Sequence, residues 1–387
     1  MIISRIKISI LTLLGVLLSF AIMYTYGNSM TSIYGAIELL IAFFCYLGFF
    51  QYLRRIDANL GILCLFVIFV AWISGILSGD LKSTLLITTP LIMPLYISMF
   101  KIEYRSSADY IPVTVIAIAL TFLAIIRGVF GYFNSNTLGF MGFMGISFGI
   151  IWVKSARFKI IPILCVLLGI LCANMSGSRN VAVVGLICII FLLLPDAILK
   201  KRMIFYSITL LILLYTIFSA DIMAWGFSIP ELNDFLLDFT SNYSQKAWSM
   251  VSRVDYLRMV QESISQRGIL LKLFGTGTLT MHGHNMFYQC VLEFGYIGTT
   301  LIYLMFIRIF RLAYLLIRKN QDNIVLGCVI ALWGNFMLQA ADVYLLGPET
   351  YAIIPQVLMG IILQRYTNYR TQLTNEYQYR GNSLNTE

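Results

Sequence analysis

Charged residues are scarce in this 387-residue chain, and their scarcity excludes a soluble globular domain. Only 12% of the residues are Asp, Glu, Lys or Arg, whereas soluble domains carry roughly 25%. Hydrophobic residues make up 59% of the chain, and its mean hydropathy is +0.84. Apolar stretches of roughly 20 residues, the length of a membrane-spanning helix, recur from end to end. We therefore predict an all-α integral membrane protein.

The chain also has few metal-binding side chains outside its apolar segments. It contains two histidines, and its seven cysteines lie in or at the ends of apolar stretches. We interpret these cysteines as small hydrophobic residues and predict no disulfide framework, metal or cofactor. The net charge of +9 does not indicate nucleic acid as a partner, because basic residues of a membrane protein mostly mark its cytoplasmic loops.

Twelve apolar stretches are predicted to span the membrane, and the first is expected to stay uncleaved because no A-x-A-like site follows it. Pro90 and Pro94 interrupt the fourth stretch, and Arg127 lies in the fifth. The predicted spans are 8–26, 31–50, 60–78, 82–100, 111–130, 137–153, 158–174, 179–198, 203–220, 286–307, 323–342 and 350–366.

The basic residues predict the orientation of these spans. With both termini in the cytoplasm, every short connection obeys the positive-inside bias. The basic residues outside the cytoplasmic connections are Lys82, Arg127, Arg179, Lys246, Arg253, Arg258, Arg267 and Lys272. Five of these eight belong to one long loop, which is then extracytoplasmic.

That loop, residues 221–283, is predicted to be a structured cap rather than a disordered linker. Two pieces, 224–239 and 246–264, have the spacing of amphipathic helices. In the second, Trp248, Val251, Tyr256 and Met259 are expected on one side, with Arg253 and Arg258 elsewhere. We divide the chain into predicted spans 1–9 (residues 1–220), a loop domain (221–285), predicted spans 10–12 (286–366) and a cytoplasmic tail (367–387).

A first candidate site lies at the predicted outer start of the eighth span. Arg179 is in the first turn of that helix, where a cation opposes the helix dipole, and Ser178 is a candidate N-cap. A cation beside free helix-start N–H groups suits an anion such as a pyrophosphate. Alternatively, Arg179 extends to lipid headgroups.

A second candidate site is the run MHGHNMFYQCVLEFGYIG, residues 281–298, at the outer start of the tenth span. Both histidines, His282 and His284, lie here, and Asn285 is expected to cap the helix. The positive helix end favours neutral imidazole, so His284 is placed to act as a general base. A purely structural histidine is the alternative.

Polar residues continue into the predicted spans near this end. Glu293 lies roughly 12 Å into the helix at about 1.5 Å per residue, one turn beyond Gln289. It is either functional or a neutral, hydrogen-bonded structural residue. Gly295 and Gly298 are expected to allow close helix packing. Asn335, Gln339 and Asp342 share a face of the eleventh span, where they either line a substrate cavity or join helices by hydrogen bonds.

The pattern His284-Asn285, seven residues, Glu293-Phe294-Gly295, two residues, Gly298 resembles a signature of the O-antigen ligase and polymerase superfamily. Ser178-Arg179, ahead of the long loop, is a second match. The resemblance implies a GT-C-like inner-membrane glycosyltransferase of bacteria, metal-independent and inverting, with a large periplasmic loop. Its donor would be an undecaprenyl-pyrophosphate-linked oligosaccharide. Further partners would be membrane lipids and a chain-length regulator or other polysaccharide assembly proteins.

Residue roles follow from the same resemblance. Arg179 would hold the donor pyrophosphate and stabilise it as it leaves, and His284 would deprotonate or orient the attacking hydroxyl. Arg253 and Arg258, with Arg127 as a further candidate, would add phosphate or substrate contacts. We expect a Wzy-type polymerase, with a WaaL-type ligase as the alternative. The leucine often found four residues after the arginine in ligases is Val183 here, and the polymerase pattern of an arginine, ten residues and a glycine is not met either. A flippase is the rival class, but most polar candidates gather at the outer end.

Overall fold

The computed structural model describes residues 40, 42–47, 57–98, 111–127, 135–175, 178–228, 244–278, 285–320, 322–340 and 353–384. Every element within these ranges is an α-helix, and they contain no β-strand, so the predicted all-α class is confirmed for them. The first predicted span and most of the second lie outside the described residues, as do His282, His284 and Asp342.

The helices follow the predicted spans closely. The third to eighth spans correspond to α1–α6, the ninth to α8, and the tenth to twelfth to α11–α13. The helices are α1 (Ala58–Ser78), α2 (Leu81–Ile97), α3 (Ile111–Arg127), α4 (Ser135–Ser155), α5 (Ile160–Met175), α6 (Arg179–Leu193), α7 (Asp196–Leu199), α8 (Arg202–Ser228), α9 (Ser244–Gln266), α10 (Ile269–Phe274), α11 (Met286–Asn320), α12 (Asn323–Gln339) and α13 (Ile353–Leu384). A further helical segment covers residues 42–47.

The lengths and apolar surfaces of these helices agree with a membrane protein. By length and composition alone, three of the described segments are able to cross a membrane: Ala58–Ser78, Arg202–Ser219 and Met286–Lys319. Several shorter apolar helices accompany them. Large apolar side chains such as Phe66 and Phe69 on α1 point outward, as expected for a lipid-facing surface. The number of spans stays a prediction.

Helix α12 is the centre of the bundle. All its residues from Val325 to Gln339 are buried, and it packs against α4, α6, α8, α11 and α13. Helix α11 in turn packs against α1, α8 and α13. A helix that is apolar and buried on all sides is typical of the core of a large bundle. The two helices therefore set the positions of the others.

Ion pairs join several helices on one side of the bundle. Arg308 of α11 donates to both carboxylate oxygens of Asp57, which also caps α1 by accepting from the Leu60 N–H. The other pairs are Lys154 with Asp196 at 2.5 Å and Arg365 with Asp322 at 2.7 Å. All three basic members belong to the predicted cytoplasmic connections. The ion pairs therefore lie together at one end of the helices, whose side of the membrane stays a prediction.

Several helix ends differ from the predicted span ends. Helix α6 stops at Leu193 because Pro195 cannot continue it. Helix α8 continues beyond residue 220 to Ser228, since the next proline is Pro230. Helices α11 and α13 also run past the predicted ends of their spans.

Helix α2 remains continuous through Pro90 and Pro94. Threonines before Pro90 donate to backbone carbonyls of the same turn: Thr88 Oγ1 to Thr84 O at 2.6 Å and Thr89 Oγ1 to Leu85 O at 2.6 Å. These bonds satisfy the threonine hydroxyl groups themselves within the apolar helix. The two prolines do not divide this helix.

Candidate functional site

The start of α11 is fixed by Asn285, whose side chain is fully buried. Its Oδ1 accepts from the N–H groups of Phe287 and Tyr288 at 2.8 and 3.2 Å. The prediction that Asn285 caps this helix is confirmed. Its Nδ2 has three acceptors within reach: Thr216 O at 3.0 Å, Ser219 Oγ at 2.7 Å and Ala340 O at 3.1 Å. One amide thus joins the start of α11 to α8 and to the end of α12.

His284 directly precedes this anchor in the chain. Its side chain, like that of His282, belongs to the part of the chain that the structure does not describe. The roles predicted for both histidines stay predictions. The Asn285 hydrogen bonds nevertheless fix the residue that directly follows His284 in the chain.

The second predicted site lies at the start of α6. Arg179 is the first helical residue, and Ser178 occupies the N-cap position without a capping hydrogen bond from its side chain. Ser178 instead packs against Gly139 of α4, where an added Cβ would lie 2.2 Å from the Ser178 Cβ. The Ser178 hydroxyl therefore leaves the first N–H groups of α6 uncapped. The Arg179 side chain is outside the described part of the structure.

The end of α12 lies beside these two helix starts. Gln339 is buried, with 2% exposure, and is adjacent to Ala340, whose carbonyl accepts from Asn285 and from Ser219 Oγ at 2.7 Å. Asn335 donates to Ser147 of α4 at 3.4 Å. This polar face was predicted either to line a substrate cavity or to join helices by hydrogen bonds. The contact of Asn335 shows interhelical hydrogen bonding. Asp342 lies outside the described residues.

Glu293 is buried inside α11, with 1% of its surface exposed. Gln289, one turn earlier on the same side of the helix, donates from Nε2 to Glu293 Oε1. The other oxygen, Oε2, has no hydrogen-bond partner among the described residues. Because Oε2 has no partner, Glu293 has unused hydrogen-bonding capacity at this depth. An unpaired buried oxygen of this kind costs free energy.

Helix α11 is broken two residues after Glu293. Gly295 has φ 66° and ψ −178°, a combination that is essentially restricted to glycine. The prediction that Gly295 allows close helix packing is confirmed, because its close neighbours are Leu273 O and Phe274 N at the end of helix α10; the break itself was not predicted. Gly298 faces Phe294 of the same helix, 2.5 Å from the position of an added Cβ.

Sequence reasoning missed the residues that occupy this break. Arg267, Thr276 and Gly277 donate to the carbonyls of Leu292 and Glu293. The signal that could have found them is the Gly275-Thr276-Gly277 run, since closely spaced glycines mark turns and close backbone contacts. Burial lowers the pKa of Arg267 below its ordinary value, and this arginine belongs to the predicted loop.

Helix α9 of the predicted loop lies on the first part of α11. Leu257, Val260 and Ile264 are buried against Tyr288, Val291 and Leu292. The predicted apolar side of α9 was therefore wrong at Met259, which is 45% exposed. The stripe that faces α11 is displaced around the helix, because contact with a neighbour and not side-chain size decides which side is buried.

The remaining predicted arginines are distributed differently. Arg258 of α9 is exposed and lies 3.9 Å from Asp255 one turn away, a surface pair that contributes little to stability. Arg253 and Arg127 belong to α9 and α3, and their side chains lie outside the described part of the chain. The structure thus leaves the Arg258 guanidinium accessible from the side that α9 presents to solvent.

Among the described residues, no three His, Cys, Asp or Glu side chains are grouped closely enough to hold a metal ion. No protein-family model matches the chain, and no curated protein matches it significantly. The function must therefore be argued from the residues themselves and their arrangement.

Proposed function

We propose that this protein is a metal-independent, inverting glycosyltransferase of the bacterial inner membrane, and specifically an O-antigen polymerase. It would transfer a glycan from undecaprenyl pyrophosphate to a sugar hydroxyl of another lipid-linked repeat unit. The reaction would occur at the periplasmic face, with both termini in the cytoplasm. The proposal rests on the sequence resemblance together with the arrangement of three helix ends.

The observation that carries the proposal is that the starts of α6 and α11 and the end of α12 share one end of the bundle. Asn285 bonds to Ala340 at 3.1 Å, and α12 packs against α6 and α4. Ser178 at the start of α6 packs on Gly139 near the start of α4. Arg179 and His284 therefore belong to helix starts on two different neighbours of α12, at the end of the bundle opposite the ion pairs, which supports a common site.

This arrangement suits displacement of a pyrophosphate. The acceptor hydroxyl oxygen attacks the anomeric carbon of the donor sugar while His284 takes the hydroxyl proton. The bond between the anomeric carbon and the pyrophosphate oxygen breaks, and the electron pair leaves with the pyrophosphate. Arg179 and the uncapped N–H groups of α6 stabilise that negative charge. Attack from the opposite face inverts the configuration, and most of the catalysis is positioning and electrostatics.

Other residues would bind the substrates. Arg258, exposed on α9, and Arg253 would contact phosphate or sugar groups that approach from the loop side, with Arg127 as a further candidate. Gln339 and Asp342 would contact the substrate at the end of α12. Asn285 would act mainly by fixing the His284 segment, since both ends of its amide are already engaged. Glu293 would help to position that same segment.

A purified-protein assay with lipid-linked repeat units tests the proposal. We expect His284→Ala to reduce glycan transfer by roughly 100-fold or more, as for loss of a general base, and Arg179→Ala to cause a comparable loss. His282→Ala is the matched control, because it removes the neighbouring imidazole and should leave transfer nearly unchanged. Full transfer by both His284→Ala and Arg179→Ala would exclude the proposed site.

An O-antigen ligase would use the same donor and the same residues, with lipid A–core as acceptor. A deletion strain separates the two activities. Loss of a polymerase leaves lipopolysaccharide that carries a single repeat unit, as we expect here. Loss of a ligase leaves bare core and lets lipid-linked polymer accumulate, and that result would reassign the acceptor without changing the proposed site.

A further inference from the structure

The break in α11 exposes backbone carbonyls deep in the bundle, and the preceding loop returns to satisfy them. Leu292 O accepts from Arg267 Nη1 at 2.9 Å and from Thr276 N and Thr276 Oγ1, both at 3.2 Å. Glu293 O accepts from Gly277 N at 2.8 Å. Carbonyls freed by a helix break are costly in an apolar environment. The loop therefore supplies the hydrogen bonds that the helix has given up.

Two glycines make this return possible. An added Cβ on Gly275 would lie 2.3 Å from Glu293 O, and one on Gly295 would lie 2.3 Å from Leu273 O. Both glycines have positive φ, 73° and 66°. The backbones of the loop and of the broken helix thus interlock at a separation that no side chain would permit.

The loop is held on its other side by α1 and α2. Thr84 Oγ1 of α2 donates to Gly277 O at 2.6 Å, and Ser74 Oγ of α1 donates to Phe274 O at 3.3 Å. A Cβ on Gly277 would lie 2.3 Å from Gly75 N. We call Arg267 together with residues 274–278 the clamp. It is wedged between α1 and α2 on one side and the break of α11 on the other.

The outer half of α11, residues 286–294, is the part that the clamp orients. It follows Asn285 and therefore the segment with His284. The clamp in turn follows α9, whose Leu257, Val260 and Ile264 pack on the same outer half. Loop, clamp and the start of α11 form one continuous set of contacts, while the inner half of α11 is fixed separately by its ion pair with Asp57.

We propose that the clamp is a positioning device, in which Arg267 and the Gly275–Gly295 contact set the direction of the outer half of α11 and hence the placement of His284. The reaction that it positions is the glycan transfer proposed above, so the inference rests on that function for its consequence. The geometry of the clamp is independent of the reaction.

Hydrogen exchange of the detergent-solubilised full-length protein tests the clamp without substrate. In Arg267→Gln and Gly275→Ala we expect amides 286–294 to exchange at least about tenfold faster than in the wild type, with Arg267→Lys intermediate because it keeps one charged donor.

Lys272→Gln and Gly268→Ala are matched controls, since nothing lies within 4 Å of an added Cβ on Gly268. Gly79→Ala controls for strain alone, because Gly79 has φ 77° and open space around it. Unchanged exchange in folded Arg267→Gln and Arg267→Lys would overturn the proposal.

Steady-state kinetics then test what the clamp positions. We expect Arg267→Gln to lower kcat at least tenfold with little change in KM, and Arg267→Lys to recover part of the loss. Faster exchange with unchanged kcat would overturn the positioning role while leaving the proposed function intact. If the wild type transferred no glycan, only the proposed function would fail, and hydrogen exchange would still decide whether the clamp orients the helix.

Discussion

Asn285 caps one helix with its oxygen and holds two others with its nitrogen. Replacing it by aspartate keeps the cap but removes every donor, and it places a carboxylate against the carbonyls of Thr216 and Ala340. We expect Asn285→Asp to lower the free energy of unfolding by about 3 kcal/mol, because buried acceptors lose their partner and gain a repulsive charge.

Thermal or denaturant unfolding of the solubilised protein measures this loss. Asn323→Asp is the matched control, since Asn323 is exposed at the start of α12, and such a change usually stays within about 0.5 kcal/mol. Equal stability of Asn285→Asp and the wild type would show that these interhelical hydrogen bonds do not contribute to stability.

Asp57 gives the protein an acid-sensitive contact. Burial disfavours its carboxylate, but the hydrogen bonds from Arg308 and the Leu60 N–H, with the positive charge of Arg308, outweigh burial and lower the pKa of Asp57. Because the pKa is lower in the folded state, the ionised Asp57 carboxylate stabilises the fold above the unfolded-state pKa of about 3.9. This stabilisation is lost as the pH falls through the folded-state pKa.

Asp57→Asn isolates this charge, because asparagine still caps α1. We expect the variant to be roughly 3 kcal/mol less stable than the wild type at neutral pH, as when one member of a buried ion pair is removed. The difference should shrink as the pH falls below about 4. Unfolding curves of both proteins between pH 7 and pH 3 would contradict the ion pair if their separation stayed constant.

Local pattern was enough to predict some of these residues. The cap by Asn285 follows from an Asx residue before an apolar run. The contact of Asn285 with Ala340, 55 residues away, depends on how helices pack. Ser178 occupies the predicted cap position without the bond, because its side chain is buried against Gly139.

At the scale of helices and loops, sequence reasoning placed the described spans well but not their partners. Apolar length determines where a helix lies, so α1–α6, α8 and α11–α13 begin or end near the predicted residues. Which stripe of α9 is buried depends on α11, as Met259 shows. The break at Gly295 depends on a loop that closes between α1 and α11, and an apolar run that contains two glycines does not reveal that contact.

A hydrogen-bond chain links the helical segment 42–47 to the bundle. Trp72 Nε1 of α1 donates to Tyr46 OH at 2.8 Å, and that hydroxyl is 2.6 Å from Thr88 Oγ1 of α2. We expect Tyr46→Phe to destabilise the protein by about 1–2 kcal/mol, because the Trp72 N–H loses its acceptor. Tyr296→Phe is the control, since the Tyr296 side chain is 45% exposed. Equal unfolding midpoints for both variants would contradict this link.

The two ends of the whole molecule differ in their chemistry. One end holds the ion pairs of Asp57, Lys154 and Arg365 with partners on neighbouring helices. The other end holds the starts of α6 and α11, the clamp and α9. Rigid attachment at one end and a loop-dependent arrangement at the other suit a protein whose chemistry takes place at a single membrane face. The positive-inside bias predicts that the ion-pair end faces the cytoplasm.

Thiol labelling tests this orientation. Gly268→Cys lies just before α10 in open surroundings, and Lys319→Cys lies at the exposed end of α11. In spheroplasts, a membrane-impermeant maleimide should label Gly268→Cys at once and Lys319→Cys only after permeabilisation. The parent protein sets the background, which we expect to be low because its described cysteines are buried except Cys165, which is intermediate. Labelling of both positions from the same side would exclude the predicted topology. The reverse pattern would place the proposed site in the cytoplasm, where a periplasmic polymerase could not act.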